Sequence, residues 1–393
     1  MNALEGLLLA LAGVSAALYL LMVGGFLAAM RRRESPPRPA NQPRVSILKP
    51  LAGVDDELEE NLASFERLDY PDYEIILGVA SVEDAAYPLA RRFVERLGHD
   101  RARLFVTDPD AATNPKVAQL LSLERAVTGE IVVISDSNVR VTPSYLDPLV
   151  GELARPGVAV VSSVVAGTGE QTLGAALENL QLGALIAPGV VSSAWLTGRA
   201  ITVGKSMAMW REALRRVGGF SRVAHLLSED HMLGKAVAQA GYKVRVSLVA
   251  VENRNVACSL RRTVERHTRW AKLRRAIHPM PFAFEPILSP IVTTTMACVV
   301  LSTRTLAMAF IAAIVMQTLG AVVTTRVLRG TAPRWYWVPL EIVRSYLLFL
   351  CWFRACLSRR VSWRGHDFEL ARDSAIVPAE PSVWHRVRAL VRA

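Results

Sequence analysis

Three aspartates and one basic helix carry most of the chemistry open to this chain of 393 residues. Asp136-Ser137-Asn138 directly follows a β-rich run, Glu130 to Ser135. A carboxylate at a strand end, beside another polar oxygen, can hold a divalent cation through one or two protein ligands and leave the remaining positions to phosphate and water. The same tripeptide also makes an ordinary strand-terminating turn, because Asp and Asn bond their own backbone. Asp84 lies in the loop after a second such run, Tyr73 to Val79. Asp230, in Ser228-Glu229-Asp230-His231, precedes a helical stretch from Met232 to Ala240, so it is either a helix cap or a general base. Arg266, Arg269 and Trp270 fall at i, i+3 and i+4 of a helical run and share one face. Two guanidiniums there can clamp a diphosphate, and the indole can stack on a sugar or an acceptor. Arg261, Arg262, Arg274 and Arg275 surround them and suit anionic lipid headgroups equally well.

An α/β region must hold these groups. Residues 44–280 read as one domain in which strands alternate with helices, which predicts right-handed crossovers and a mostly parallel sheet. Strands are expected at Val45 to Leu48, Tyr73 to Val79, Ala102 to Val106 and Glu130 to Ser135, with helices at Glu57 to Leu68, Ala86 to Leu97 and Val117 to Ala126. Ligands of such sheets bind beyond the carboxyl ends of the strands, which brings forward Lys49, Asp84 and Asp136. No G-x-G-x-x-G follows a strand, so a Rossmann dinucleotide site is disfavoured. Gly204-Lys205-Ser206 resembles the end of a P-loop, but Gly198 stands one residue too far upstream. No G-x-S-x-G elbow is present, and the four cysteines show no metal-binding spacing.

Composition points to lipid. Hydrophobic residues make up 51% and charged ones 21%, the net charge is +11, and the mean hydropathy is +0.27, which is high for a soluble enzyme. Leu7 to Met30 carries no charge and is long enough to span a bilayer; Arg31 to Arg33 follow it and predict that the next segment is cytosolic. Residues 1–33 are therefore expected to be an anchor, and the prolines between Pro36 and Pro43 a stiff linker. Residues 281–357 hold two more apolar blocks. Pro286 to Thr325, interrupted by Arg304, can form two short spans; Trp337 to Leu357 contains Glu341, Arg344 and Arg354, and a cytosolic tail requires either that this last block is re-entrant or that one of the earlier pair does not span. Residues 358–393 are expected to form a basic cytosolic tail.

Taken in order, Asp84, Asp136, Asp230 and Arg266-x-x-Arg269-Trp270 resemble the ceramide glucosyltransferase family, membrane-bound inverting glycosyltransferases of the GT-A fold whose signature is three spaced aspartates followed by (Q/R)xxRW. Leu48-Lys49-Pro50-Leu51, Asn114-Pro115-Lys116, Gly218-Gly219-Phe220 and Ser362-Trp363-Arg364-Gly365 support the resemblance, which runs over nearly the whole chain. The loop at Asp84 is poorer in acids than the family pattern and lacks its proline; Glu83 is the neighbouring substitute. The resemblance implies a UDP-sugar donor, a membrane lipid acceptor such as ceramide, and no nucleic acid. It implies that Lys49, Asp84 and Lys116 line the nucleotide site and that Asp136 binds Mg2+ or Mn2+. Asp230 would be the base, while Arg266, Arg269 and Trp270 would hold the diphosphate at the bilayer surface. The expected setting is a multi-pass protein of a bacterial inner membrane with a cytosolic catalytic domain. Two other readings stay open: a sister group that adds N-acetylglucosamine to hopanoids, and a membrane-anchored binding protein without catalysis.

Overall fold

The computed structural model describes residues 2–34, 36, 41–363 and 366–378. The strands β1 (Val45–Pro50), β2 (Tyr73–Val79), β3 (Ala102–Val106), β4 (Ile131–Ser135), β5 (Val139–Arg140), β6 (Val158–Thr168), β7 (Ser206–Trp210) and β8 (Lys243–Arg254) form one sheet in the order β3-β2-β1-β4-β7-β6-β8-β5. β1 to β4 pair in parallel, as do β6 and β8, while β7 and β5 run antiparallel to their neighbours. Alternating side chains divide the core between the two faces of the sheet. Ile47 and Ile75 meet Leu58, Leu62 and Phe93 on one face, while Leu48 and Ile76 meet Val117, Leu120 and Leu233 on the other. Every residue of β2 is buried, as a central parallel strand requires. The sheet and its helices have the mostly parallel, doubly covered form expected from the sequence, with the antiparallel β7 inserted beside β4.

Among the described residues, three helices are long and apolar enough to cross a membrane: Ala3–Arg31, Leu173–Thr197 and Arg304–Arg329. The first contains the expected anchor. The second lies inside residues 44–280: after β6 the chain enters this continuous apolar helix, which packs on the amino-terminal helix. Polar Glu178 and Gln181 and the helix-breaking Pro188, with a π-helical turn at Leu182–Ile186, disguise it in the sequence. The helix Pro290–Val300 has 11 residues, about 16 Å at 1.5 Å per residue, roughly half a hydrocarbon core. It begins near mid-helix of Ala3–Arg31, where Ser15 Oγ donates to Ile287 O at 2.5 Å, and a short turn joins it to Arg304–Arg329.

The helix Leu340–Leu357 carries an ion pair into this bundle. Arg344 Nε donates to Glu341 Oε2 at 2.7 Å, and a second guanidinium nitrogen donates to Gln181. Gln317 Nε2 donates to Glu341 Oε1 and to Ser345 Oγ, both at 2.8 Å, and the Gln317 carbonyl accepts from the Tyr19 hydroxyl at 2.9 Å. Tyr19 lies so close to Gly320 that a Cβ there would overlap its ring. All of these polar groups are buried and partnered, which is the condition for keeping charge away from lipid.

The described part of the tail is ordered. Residues Arg360–Trp363 (β9), His366–Leu370 (β10) and Ile376–Pro378 (β11) form an antiparallel sheet in the order β11-β10-β9. Val361, Phe368, Leu370 and Ile376 pack with Leu227 of the α/β domain, so this segment lies on the same side of the bundle as that domain. Arg364, Gly365 and residues 379–393, including Arg386, Arg388 and Arg392, lie outside the described residues.

Candidate active site

The strand order turns at β1, with β2 and β3 on one side and β4 on the other. Crevices at such switch points bind ligands beyond the carboxyl ends of the strands. Asp136 follows β4 there, and register makes its surroundings. Ser135 pairs with Ser206 of antiparallel β7, so Lys205 arrives beside Asp136. Lys205 Nζ lies 3.2 Å from Asp136 Oδ2 and donates to Asn138 Oδ1 at 2.8 Å. From the opposite side comes Lys116, in the first turn of the helix Pro115–Glu124. Asn114 caps that helix, accepting from the Lys116 and Val117 N–H groups at 3.0 and 3.3 Å, and Pro115 fits the first helical position. Lys116 Nζ then reaches Asp136 Oδ1 at 2.8 Å, Glu229 Oε1 at 2.9 Å and the Gly204 carbonyl at 3.3 Å.

Gly204 joins this cluster to Asp230. Its N–H donates to Asp230 Oδ2 at 2.5 Å, while Oδ1 accepts from the His231 N–H at 2.7 Å and from Ser228 Oγ at 3.3 Å. Asp230 stands in the first turn of the helix Glu229–Gln239, whose capping position belongs to Ser228. A side chain at 204 would strike Asp230, since a Cβ would lie 2.9 Å from both its Cβ and Oδ2. Glycine is the residue that lets this loop close on the carboxylate.

The electrostatics follow from burial and pairing. Burial disfavours the charged form of Asp136, but Lys116 and Lys205 override it and hold its carboxyl well below the usual carboxylate range. The Lys116 ammonium is likewise penalised by burial and then raised above its ordinary value by Asp136 and Glu229. Glu229 keeps the upward shift that burial gives it, in spite of Lys116, with Asp230 pushing the same way. Lys49 is the most enclosed of the set, at 0% exposure. Its ammonium donates to Ser135 Oγ at 3.2 Å and to the Asp136 carbonyl at 3.1 Å and lies 3.9 Å from the Phe65 ring centroid. Burial lowers it to about 7, against the opposing charge of Asp136. It therefore sits beneath the strand end and not on the crevice wall where the sequence reading put it.

Asp84 is spent on its own loops. Its carboxylate accepts from the Gly53 N–H at 2.9 and 3.1 Å and from the Ala86 N–H at 2.8 Å, fastening the loop after β1 to the loop after β2; neighbouring Glu83 is exposed. The signature helix runs from Leu260 to Ile277. Arg266 pairs with buried Glu178 of the second apolar helix and donates to Asn255 Oδ1 at 3.4 Å. The Arg269 guanidinium lies 6.0 Å from the Trp363 ring centroid, and Trp270 packs against the domain core with His267 edge-on at 5.1 Å. The shared face expected for these three is thus divided among different neighbours. Arg266 and Arg262 of this helix line a small pocket together with Asp55, Arg254 and Asn138, the last of these two residues beyond Asp136.

The donor set suits a divalent cation. Among the described residues no group of three His, Cys, Asp or Glu side chains forms a metal cage. Two oxygens nevertheless converge on a single positive charge, Asp136 Oδ2 and Asn138 Oδ1 on the Lys205 ammonium. Few protein oxygens completed by phosphate and water is the usual arrangement for Mg2+. Lys205 was given no role in the sequence; only the pairing of β4 with β7, distant in the chain, brings it beside Asp136 and Asn138.

The chain is 28% identical to ceramide glucosyltransferase 3 of Caenorhabditis elegans over 250 residues, 62% of this chain and 53% of that protein. It is 28% identical to ceramide glucosyltransferase 1 of the same organism over 284 residues, 71% of this chain and 61% of that protein. The chain thus matches somewhat more than half the length of these relatives. Among solved structures, the mannosyltransferase PcManGT from Pyrobaculum calidifontis, in complex with GDP-Man and Mn2+, covers 90% of this chain and 98% of its own at a TM-score of 0.53 and 21% identity, which establishes a shared GT-A fold. The family model of glycosyl transferase family 21 matches residues 7–376, from the amino-terminal helix to the last small sheet, and the chain belongs to that family.

Proposed function

We propose that the protein is a membrane-embedded inverting glycosyltransferase that moves a hexose from a UDP-sugar to the primary hydroxyl of a membrane lipid, ceramide above all. The observation that carries the reading is the Asp136–Lys116–Glu229 cluster, joined through Gly204 to Asp230 at the switch point of the sheet. Family membership and the ceramide glucosyltransferase relatives support the acceptor class, and the apolar helices support a membrane setting. Asp136 and Asn138 would hold Mg2+ or Mn2+, which when bound neutralises charge on the departing diphosphate. Lys116 and Lys205 would turn from Asp136 to the phosphates. Lys49 would hold the Asp136 backbone from beneath, and Asp84 the shape of the loops around the nucleotide. Arg266, with Arg262 beside the same pocket, would meet the diphosphate from the signature helix, while Arg269 and Trp270 close the membrane side. Asp230 Oδ would take the acceptor proton as the hydroxyl attacks the anomeric carbon from the face opposite the diphosphate. An acceptor confined to the bilayer meets this carboxylate already oriented.

Purified protein in lipid nanodiscs, offered ceramide or a hopanoid polyol with UDP-glucose, UDP-galactose and UDP-N-acetylglucosamine in turn, tests the reading. Transfer to ceramide from a UDP-hexose is expected. Transfer of N-acetylglucosamine to the hopanoid would move the protein to the sister activity, and no turnover with any pair would leave a binding protein. Asp136→Ala and excess EDTA should each abolish transfer; full activity in chelator would remove the cation from the mechanism.

The orientation has its own check. We infer a cytosolic catalytic domain from Arg31, Arg32 and Arg33 beyond the first apolar helix. Single cysteines at Asn41 and Arg372 should both resist a membrane-impermeant thiol reagent in intact cells and react after lysis. Modification of both from outside would invert the protein.

A further inference from the structure

We propose that the carboxyl-terminal sheet is a strap that fixes the Asp230 loop against the signature helix, with Ser374 as its positioning residue. The proposal rests on the reading of Asp230 as the base. His225 to Ser228, which lead into Glu229 and Asp230, contain no helix or strand of their own. The strap supplies their partners. The Leu227 N–H donates to the Ser374 carbonyl at 2.9 Å, the Ser228 N–H donates to Ser374 Oγ at 3.3 Å, and the Ile376 N–H donates to the His225 carbonyl at 2.9 Å. Leu226 and Ala375 complete an antiparallel bridge. Both N–H groups immediately ahead of Glu229 are therefore taken by one residue, and Ser374 itself is fully buried.

The backbone is bent to make this grip. Asp373 and Ser374 have φ of 54° and 63°, two consecutive non-glycine residues in the left-handed region. L-residues enter that region reluctantly, and a strained pair is kept where the surroundings over-determine it. Lys235, on the helix whose first turn holds Asp230, anchors Asp373 at 3.3 Å. Leu227 is meanwhile locked among Val361, Phe368, Leu370 and Ile376. At its other edge the same sheet holds the signature helix: Trp363 lies under Arg269, Lys272 Nζ donates to the Arg360 carbonyl, and Leu273 packs on the apolar cluster. One small sheet thus touches both the loop that presents the base and the helix that presents the arginines. Their separation is set by it.

Ser374→Gly removes the Oγ acceptor while easing the left-handed backbone, so the fold should survive. Its expected effect is a fall in kcat of about tenfold, the scale of one lost hydrogen bond, with the KM for the UDP-sugar unchanged. Ser374→Asn, which tolerates the same backbone and restores an acceptor oxygen, should recover most of the loss. The effect should also vanish in an Asp230→Asn background, because a residue that works through Asp230 has nothing left to position. An equal factor in both backgrounds, or full turnover of Ser374→Gly, overturns the strap. Full turnover of Asp230→Asn alone overturns the base instead, so the two failures are distinct. Should Ser374→Gly fail to fold, Leu226→Cys with Ala375→Cys carries the test: turnover should be the same oxidised as reduced, and loss of activity on oxidation would show that the strap must part from the loop.

Discussion

Asp230→Asn should lower turnover by roughly 10²-fold or more, the usual contribution of a general base, while the KM for the UDP-sugar changes little. The change keeps volume and removes the basic oxygen. It is not silent structurally, because the carboxylate accepts from two backbone N–H groups, those of Gly204 and His231, through different oxygens. An asparagine can serve only one of them with its carbonyl oxygen. The measurement is therefore steady-state kinetics with the acceptor in nanodiscs, beside a thermal midpoint that shows whether the loop still folds. If the variant binds the donor poorly and keeps its turnover at saturation, Asp230 is a structural residue of the helix start. Glu229, buried and raised toward its protonated form, is then the next candidate.

The other large effect concerns stability. Arg344→Met should destabilise the protein by about 3–5 kcal/mol, the cost of removing one partner from a buried ion pair. Among the described residues it leaves the buried Glu341 carboxylate with Gln317 as its side-chain partner from another helix. Glu341→Leu with Arg344→Met should recover most of the loss, since an apolar pair of similar volume often replaces a buried ion pair without penalty. Thermal midpoints in detergent and the monodisperse fraction on size exclusion read both. A neutral single substitution would mean that the pair is solvated.

What could be read from the sequence, and what could not, follows from how local each signal is. β1, β2 and β4 were legible because buried parallel strands are continuous apolar runs bounded by polar residues, and Asp136 was legible as the first residue beyond one of them. The helices at Leu58, Tyr87 and Pro115 announced themselves through periodicity, the last expected from Val117, two residues late, because the Asn114 cap and the N1 Pro115 were not used as a start signal. Lys49 shows the limit: a residue at a strand end can point to the crevice or beneath it, and only packing against Phe65 decides. Lys205 was seen solely as part of a near-miss P-loop; its place beside Asp136 depends on long-range strand pairing. Arg266 and Arg269 share a helix face by spacing, yet Glu178 and Trp363 draw them apart, and both partners come from elements the sequence did not reveal. The strap stayed hidden because its strands are short and their apolar residues pack on Leu227, which is distant in the chain.

The strap also has a bearing on the order in which the molecule is made. Ribosomal synthesis delivers Asp230 long before Ser374, with the helices Pro290–Val300, Arg304–Arg329 and Leu340–Leu357 inserted in between. Until that last stretch emerges, the Leu227 and Ser228 N–H groups lack the partners they have in the finished chain. A nascent catalytic domain can assemble its sheet and cluster Lys116 with Asp136 while the loop that carries Asp230 is still loose. Ordering of the Asp230 loop is thereby tied to completion of the late helices, so a chain arrested among them holds its strands in register while this loop lacks the partners that fix it.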